Sequence, residues 1–247
     1  MGKDKTEKME RPGGPALALR RSGGKGPGIV WLGGFRSDMT GTKAEALHGW
    51  AEEAGRAFVR FDYSGHGQSG GVFEQCTVTA WLNDTLSVID NATSGPIVLV
   101  GSSMGGWLAL LAARARPDRV KALVMIAPAP DFTEAIWGEL SFEQRREMNQ
   151  HGKTLRPSAY GEPDVITRGL IDDGKRHLLL PDVIPFHGPV RIMHGQQDDA
   201  VHWRQSLLLI ERLESEDVHL TLIKDGDHRL SRPHDLNMLI DLVDEVA

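Results

Sequence analysis

A short apolar run, Pro96–Val100 (PIVLV), passes through Gly101-Ser102-Ser103-Met104-Gly105-Gly106 directly into WLALLAARA. Nothing else in the sequence restricts the fold so much. The first run is short, β-branched and free of polar residues, the pattern of a strand covered on both faces. The second is long, rich in Ala and Leu and stopped by Pro117, the pattern of a buried helix. A strand that turns at once into such a helix belongs to a sheet with helical crossovers. The Gly-x-Ser-x-Gly at the junction adds a chemical reading. A sharp strand-to-helix turn lifts the Oγ of its middle serine above the sheet, and small neighbours relieve the crowding there. The helix start supplies backbone N–H groups for developing negative charge. A plain Gly/Ser turn is the competing reading, and the flanking patterns argue against it. Ser103 is thus the candidate nucleophile, and Ser102 stands one step too early.

The same alternation extends along the chain. Ala16–Arg21, Gly28–Leu32, Ala57–Asp62, Lys121–Ile126, Val190–Met193 and Val218–Ile223 read as strands. Lys43–Ala54, Thr79–Asn91, Trp203–Leu213 and Pro233–Val243 read as helices between and after them. The prediction is an α/β fold with a mostly parallel sheet and helices on both faces. Regularity lapses from Asp131 to Gly188, where a polar helix (Phe142–Gln150) is the one clear element. A stretch this long inside an α/β pattern reads as an insertion, a small lid, within a domain spanning residues 16–247. Residues 1–15 (MGKDKTEKMERPGGP) read as a disordered tail with no apolar core of a signal peptide.

A serine hydroxyl needs a base, and the base needs an orienting acid. On an elbow of this kind the acid and then the base follow the serine along the chain. His194-Gly195-Gln196-Gln197-Asp198-Asp199 follows the Val190–Met193 run and places a loop acid at a strand end. Asp198 is the candidate acid and Asp199 its rival; a third reading makes both mere loop or N-cap carboxylates. Lys224-Asp225-Gly226-Asp227-His228 follows the last strand, and position singles out His228 from the ten histidines as the base. His202 and His234 read as surface residues, and His194 is expected to pack beneath the Asp198 loop. The oxyanion hole needs two N–H donors. Met104 supplies one, and Phe35, after Gly33-Gly34, is the candidate for the other. Phe132, Ile136, Trp137 and Leu140 either line an acyl tunnel or pack the insertion onto the core. Arg36 either contacts a substrate carboxylate or forms a surface salt bridge, the second being favoured.

GSSMGGW, WLGGFRSDMTGTKA, RFDYSGHGQSGG, HGQQDD and DGDHRLS together resemble one branch of the α/β-hydrolase superfamily, that of the mitochondrial palmitoyl-protein thioesterases and acyl-glucuronide esterases. The similarity runs from about Ala16 to the C-terminus. The elbow alone is common to many esterases, lipases and peptidases; GFRSDMTGTKA with RFDYSGHG and HRLS is more specific. The resemblance implies an α/β-hydrolase fold with a triad on Ser103, Asp198 and His228. It also implies acyl esters and thioesters as substrates, S-acylated protein cysteines among them.

The expectation is therefore a serine hydrolase that cleaves carboxylic esters or acyl thioesters through an acyl-enzyme, with no metal or organic cofactor. The alternatives are a serine peptidase, a short-chain carboxylesterase and, with a filled triad against it, a non-catalytic binding protein on the same fold. The net charge of −6 and pI near 5.9 argue against nucleic acid as partner. No apolar run is long enough for a transmembrane segment. The single cysteine, Cys76, excludes an internal disulfide and fits a reducing compartment, and the expected location is cytoplasmic. The oligomeric state is left open.

Overall fold

A computed structural model describes residues 5–157 and 163–247; residues 1–4 of the expected tail and 158–162 of the expected insertion lie outside them. Its first half runs β1 (Glu7–Met9), β2 (Leu17–Ser22), β3 (Lys25–Leu32), α1 (Thr42–Glu53), β4 (Arg56–Phe61), α2 (Val78–Ala92), β5 (Ile97–Ser102), α3 (Met104–Ala115) and β6 (Val120–Ile126). Then come α4 (Phe132–Glu139), α5 (Phe142–His151), β7 (Lys153–Arg156), β8 (Asp164–Thr167) and α6 (Arg168–Gly174). β9 (Val190–Gly195), α7 (Arg204–Arg212), β10 (Val218–Ile223) and α8 (Pro233–Val246) complete the chain.

The apolar runs become the middle of a sheet ordered β1-β2-β4-β3-β5-β6-β9-β10. β2 pairs antiparallel with β1 and β4, whereas β4-β3, β3-β5, β5-β6, β6-β9 and β9-β10 are parallel. Side chains alternate across each strand, so each central strand feeds two cores. Val30, Leu32, Leu99, Leu123 and Met125 face one core, in which Trp81 of α2 and Trp107 of α3 are fully buried. Ile29, Trp31, Val98, Val100 and Val124 face the other, beneath Leu47 of α1 and Leu239 of α8. That double burial is why these strands read as continuous apolar runs. Among the described residues, no helix is long and apolar enough to cross a membrane.

Between β6 and β9, α4, α5, α6 and the β7–β8 hairpin build a cluster of their own from Ile136, Leu140, Met148, Ile166 and Ile171. Asp131 fastens the two ends of this segment together, its carboxylate accepting the N–H groups of Leu179 and Leu180, each at 2.9 Å. Asp173 ties α6 to α2 by accepting from the Thr79 N–H at 2.7 Å and hydroxyl at 2.8 Å.

Where a tail was expected, Glu7–Met9 is an edge strand in register with Leu17–Leu19, and Glu7 pairs with Arg21 at 3.1 Å. Arg11 folds inward, donating to Ser64 Oγ at 2.8 Å and pairing with the fully buried Asp84. Burial pushes the Asp84 carboxyl up, opposed by the Ser64 N–H and the Arg11 charge. Arg11→Met is expected to lower stability by about 3 kcal/mol, because it strands a buried carboxylate. Urea denaturation at pH 7 checks this, and an unchanged midpoint would remove Arg11 from the core.

Candidate active site

The elbow between β5 and α3 is strained at its middle serine. Ser103 has φ 55 and ψ −118, a left-handed conformation that a residue with a Cβ rarely adopts. Backbone bonds hold it there: its N–H donates to Ile126 at 2.9 Å, and its carbonyl accepts from Gly106 at 2.9 Å and Ala129 at 3.1 Å. Gly105 passes so close to the carbonyls of Leu32 and Gly33 that a side chain has no room. Helix α3 therefore begins hard against the end of β3. Gly34 lies beside Ser103, and a Cβ placed on it would be 3.5 Å from that of Ser103. Met104 opens α3, where backbone N–H groups have no acceptor within the helix.

β9 leads to Asp198 and β10 to His228. Gly195 at the end of β9 packs directly on the backbone of Gly226, again leaving no space for a Cβ. The N–H groups of Gln196 and Gln197 donate to the carbonyls of Ile223 and Gly226, both at 2.8 Å, so the two loops form one unit. On it, Asp198 Oδ2 lies 2.7 Å from His228 Nδ1. Asp198 Oδ1 accepts from the N–H groups of Ala200 at 2.9 Å and Val201 at 2.8 Å. Fully buried His194 lies beneath, as expected, its Nε2 3.1 Å from Asp198 Oδ2 and 2.9 Å from the Val201 carbonyl. Nε2 faces acceptors only and so carries the proton, and the Ser206 hydroxyl donates to Nδ1 at 2.7 Å. Burial alone would raise the Asp198 carboxyl. The hydrogen bonds from His194 and His228, the His228 charge and the Val201 N–H outweigh it and hold Asp198 well below the usual carboxylate range. Asp199 is exposed.

Ser103 and His228 open onto one cavity of about 910 Å³, which Gly34, Phe35 and Met104 also line. Phe132, Ala135, Ile136 and Glu139 of α4 form its roof, one helical face at spacings of three and four residues. Trp137 is a correction. It lies about 140° round the helix from Phe132, and its ring meets Arg145, Arg168 and Lys175 at 5.2, 5.8 and 5.9 Å instead of the cavity. Leu140 is buried in the segment's own cluster. Arg36 lines the cavity, but its guanidinium is engaged by Asp164 at 3.0 Å and the Pro163 carbonyl at 3.1 Å, the salt bridge favoured from sequence.

Three supporting residues had no role assigned from sequence. Asp62 accepts from the N–H groups of Met39 at 2.6 Å and Gln68 at 2.7 Å, tying the loop after β3 to the loop after β4. Lys43 of α1 donates to the Arg229 carbonyl beside His228, and burial pushes its pKa down to about 8. Buried His66 contacts the Arg36 N–H. Only the GHG tripeptide around His66 hinted at any of this, and a histidine between glycines has no chemical signature of its own.

A doubly covered parallel sheet with a strained serine elbow and an Asp–His pair at its carboxyl edge defines an α/β hydrolase. The family model described as serine aminopeptidase, S33, matches residues 36–170. The mitochondrial palmitoyl-protein thioesterase ABHD10 of Bos taurus is 42% identical over 240 residues, 96% of this chain and 78% of that protein. The structure of alpha/beta hydrolase domain-containing protein 10 from mouse superposes with a TM-score of 0.91 at 40% identity, covering 99% of this chain and 100% of that one. A putative hydrolase from Agrobacterium vitis S4 does so with a TM-score of 0.93 at 38% identity, covering 98% and 97%. The chain belongs to the α/β-hydrolase family of these palmitoyl-protein thioesterases, and it is a hydrolytic enzyme. The comparison also corrects the expected cytoplasmic location. The bovine relative and its mouse, rat and human counterparts are named as mitochondrial proteins, and a single cysteine in a reducing compartment fits more than one location.

Proposed function

We propose that the chain is a serine esterase and thioesterase that works through an acyl-enzyme on Ser103, with His228 as base and Asp198 as its orienting acid. The observation that carries this reading is the Asp198–His228 contact at 2.7 Å, opening with Ser103 onto one cavity. Asp198 accepts the Nδ1 proton, which leaves the Nε2 lone pair of His228 free to act as base. Nε2 takes the Ser103 proton as Oγ attacks the acyl carbonyl. The oxyanion is held by the N–H groups of Met104 and Phe35. His228 then protonates the leaving sulfur or oxygen, the acyl-enzyme forms, and a water activated by the same imidazole releases the acid. No step requires a metal or organic cofactor.

The segment 131–188 acts as a lid in this reading. Phe132, Ala135 and Ile136 present an apolar roof that suits an acyl chain. The thioesterase names of the relatives support S-acylated substrates, protein cysteines among them. Activity is to be profiled on p-nitrophenyl esters and acyl thioesters of graded chain length, with an aminoacyl anilide as the peptidase arm. Highest kcat/KM on medium- to long-chain thioesters is the expected result. Turnover confined to acetyl and butyryl esters would reject the thioesterase reading, and anilide cleavage would favour a peptidase.

A further inference from the structure

The turn that carries the Phe35 N–H is held from behind by a histidine that takes no part in the acyl transfer described above. Gly34 to Ser37 closes on a hydrogen bond from the Ser37 N–H to the Gly34 carbonyl at 3.1 Å. Its third residue, Arg36, has φ 56. Turns of this kind ask for glycine or asparagine there, so arginine holds the conformation only if something outside the turn fixes it. The peptide joining Phe35 to Arg36 points its N–H at His66, whose Nε2 accepts it at 3.1 Å. The other ring nitrogen, Nδ1, lies 3.2 Å from the Ser64 carbonyl. A carbonyl only accepts, so Nδ1 carries the proton and Nε2 is left as the acceptor that Arg36 needs.

The ring itself cannot drift. His66 is 4% exposed and packs edge-on against Tyr63, Phe73 and Trp81, at centroid distances of 5.6, 5.1 and 5.4 Å. Phe35 rests on the same aromatic group, 5.1 Å from Phe73 and 5.9 Å from Trp81. Burial, aided by the Arg36 charge, pushes the His66 pKa down to about 4, so the ring stays neutral at pH 7.

We propose that His66 is a positioning residue for the oxyanion site. By accepting the Arg36 N–H it locks the Phe35–Arg36 peptide and keeps the Phe35 N–H aimed at the oxygen that becomes negative during attack. Without it Arg36 relaxes toward negative φ, the peptide rotates, and the Phe35 backbone turns with it. The inference rests on the reading of Ser103 as nucleophile and Phe35 as donor. It adds the device that makes an arginine tolerable beside that donor.

His66→Leu, His66→Gln and His66→Asn test it. Leucine fills the space without an acceptor, glutamine brings a carbonyl oxygen to the place of Nε2, and asparagine is too short to reach. H66L is expected to lose about 10²-fold in kcat, with KM changed by less than about 3-fold, the size of effect seen when an oxyanion donor is lost. H66Q recovers to within about 5-fold of the parent enzyme. Affinity for an aliphatic trifluoromethyl ketone, which forms a tetrahedral oxyanion on Ser103, falls in H66L by the same factor as kcat/KM. Inhibition by the carboxylic acid product stays as it was. Arg36→Gly, which accepts positive φ without help, makes a further H66L substitution less damaging than it is in the parent chain.

The proposal is overturned if H66L keeps its kcat, if H66Q is as slow as H66L, or if ketone and acid weaken together. Should H66L not fold, H66Q against H66N gives the same comparison, and equal rates in those two overturn it. Failure of the underlying reading looks different, because Ser103→Ala would then stay active.

Discussion

Ser103→Ala is expected to lose about 10⁵- to 10⁶-fold in kcat on any ester or thioester, as when a serine nucleophile is removed from a triad, and to keep its melting temperature. The fold survives because Ser103 is held by its backbone, through Ile126, Gly106 and Ala129, and none of those bonds involves Oγ. Alanine inherits the left-handed φ of 55, so the strain of the elbow remains in the variant. Ser103→Gly removes that strain, and it should be equally inactive but more stable, by about 1 kcal/mol. Strain at the nucleophile would then be visible as stability given up for exposure of the hydroxyl. A fluorophosphonate probe should label the parent enzyme and Ser102→Ala but not Ser103→Ala. Activity of Ser103→Ala at the parent level would remove the nucleophile and the acyl-enzyme together.

Asp198→Asn should cost about 10⁴-fold in kcat, the size seen when a triad carboxylate becomes an amide, while Asp199→Asn should stay within about 2-fold. The reason lies in the donors around each residue. Asp198 Oδ1 is taken by the N–H groups of Ala200 and Val201, which accept no substitute for an oxygen. In Asp198→Asn the amide nitrogen must therefore take the Oδ2 place and point N–H at His228. It donates to Nδ1, forces the proton onto Nε2, and leaves the imidazole without the lone pair that Ser103 needs. His194 Nε2–H meets the same amide, so two donors face one another where a carboxylate had joined two imidazoles. Asp199 is exposed. Equal losses in the two variants would mean that the acid is wrongly assigned.

The same carboxylate makes the fold sensitive to acid. Its folded pKa is depressed, so its contribution to stability is present above the range where an unfolded Asp titrates, about pH 4. That contribution is lost as pH falls below that range toward the depressed value. Melting temperatures taken between pH 5 and pH 2 should therefore fall more steeply for the parent than for Asp198→Asn.

The parts of this molecule that could be read from sequence are those in which local pattern and tertiary demand agree. PIVLV and KALVMI are apolar throughout because β5 and β6 are covered on both faces, and the elbow needs its glycines for steric reasons that hold in any such turn. Asp198 and His228 were singled out by order along the chain, since each follows a strand of the same sheet, and the fold brings the two side chains within 2.7 Å. Glu7–Met9 was missed because three residues of an edge strand carry no apolar signal, and pairing with β2 alone defines them. Trp137 was left between two readings because a short amphipathic helix offers two faces, and sequence does not say which one meets a cavity. His66 was passed over for a deeper reason. Its role is to accept one backbone N–H across the fold, and such a bond leaves no trace in residue type or spacing.

Asp131, gripping Leu179 and Leu180, gives the catalytic scaffold a particular kind of independence. Entry to and exit from the 131–180 excursion meet at Asp131, so the sheet meets it as a closed ring, which Asp173 on Thr79 and Asp164 on Arg36 tie further to the scaffold. Lengthening or rewriting such a ring costs only the slow logarithmic growth of loop entropy, about 0.6 kcal/mol for each doubling. The proposed acyl-transfer residues Ser103, Asp198 and His228 all lie outside the ring, which adds Phe132, Ala135, Ile136 and Glu139 to the cavity wall. Changes inside the ring can therefore reshape that wall while leaving the proposed acyl-transfer groups in place.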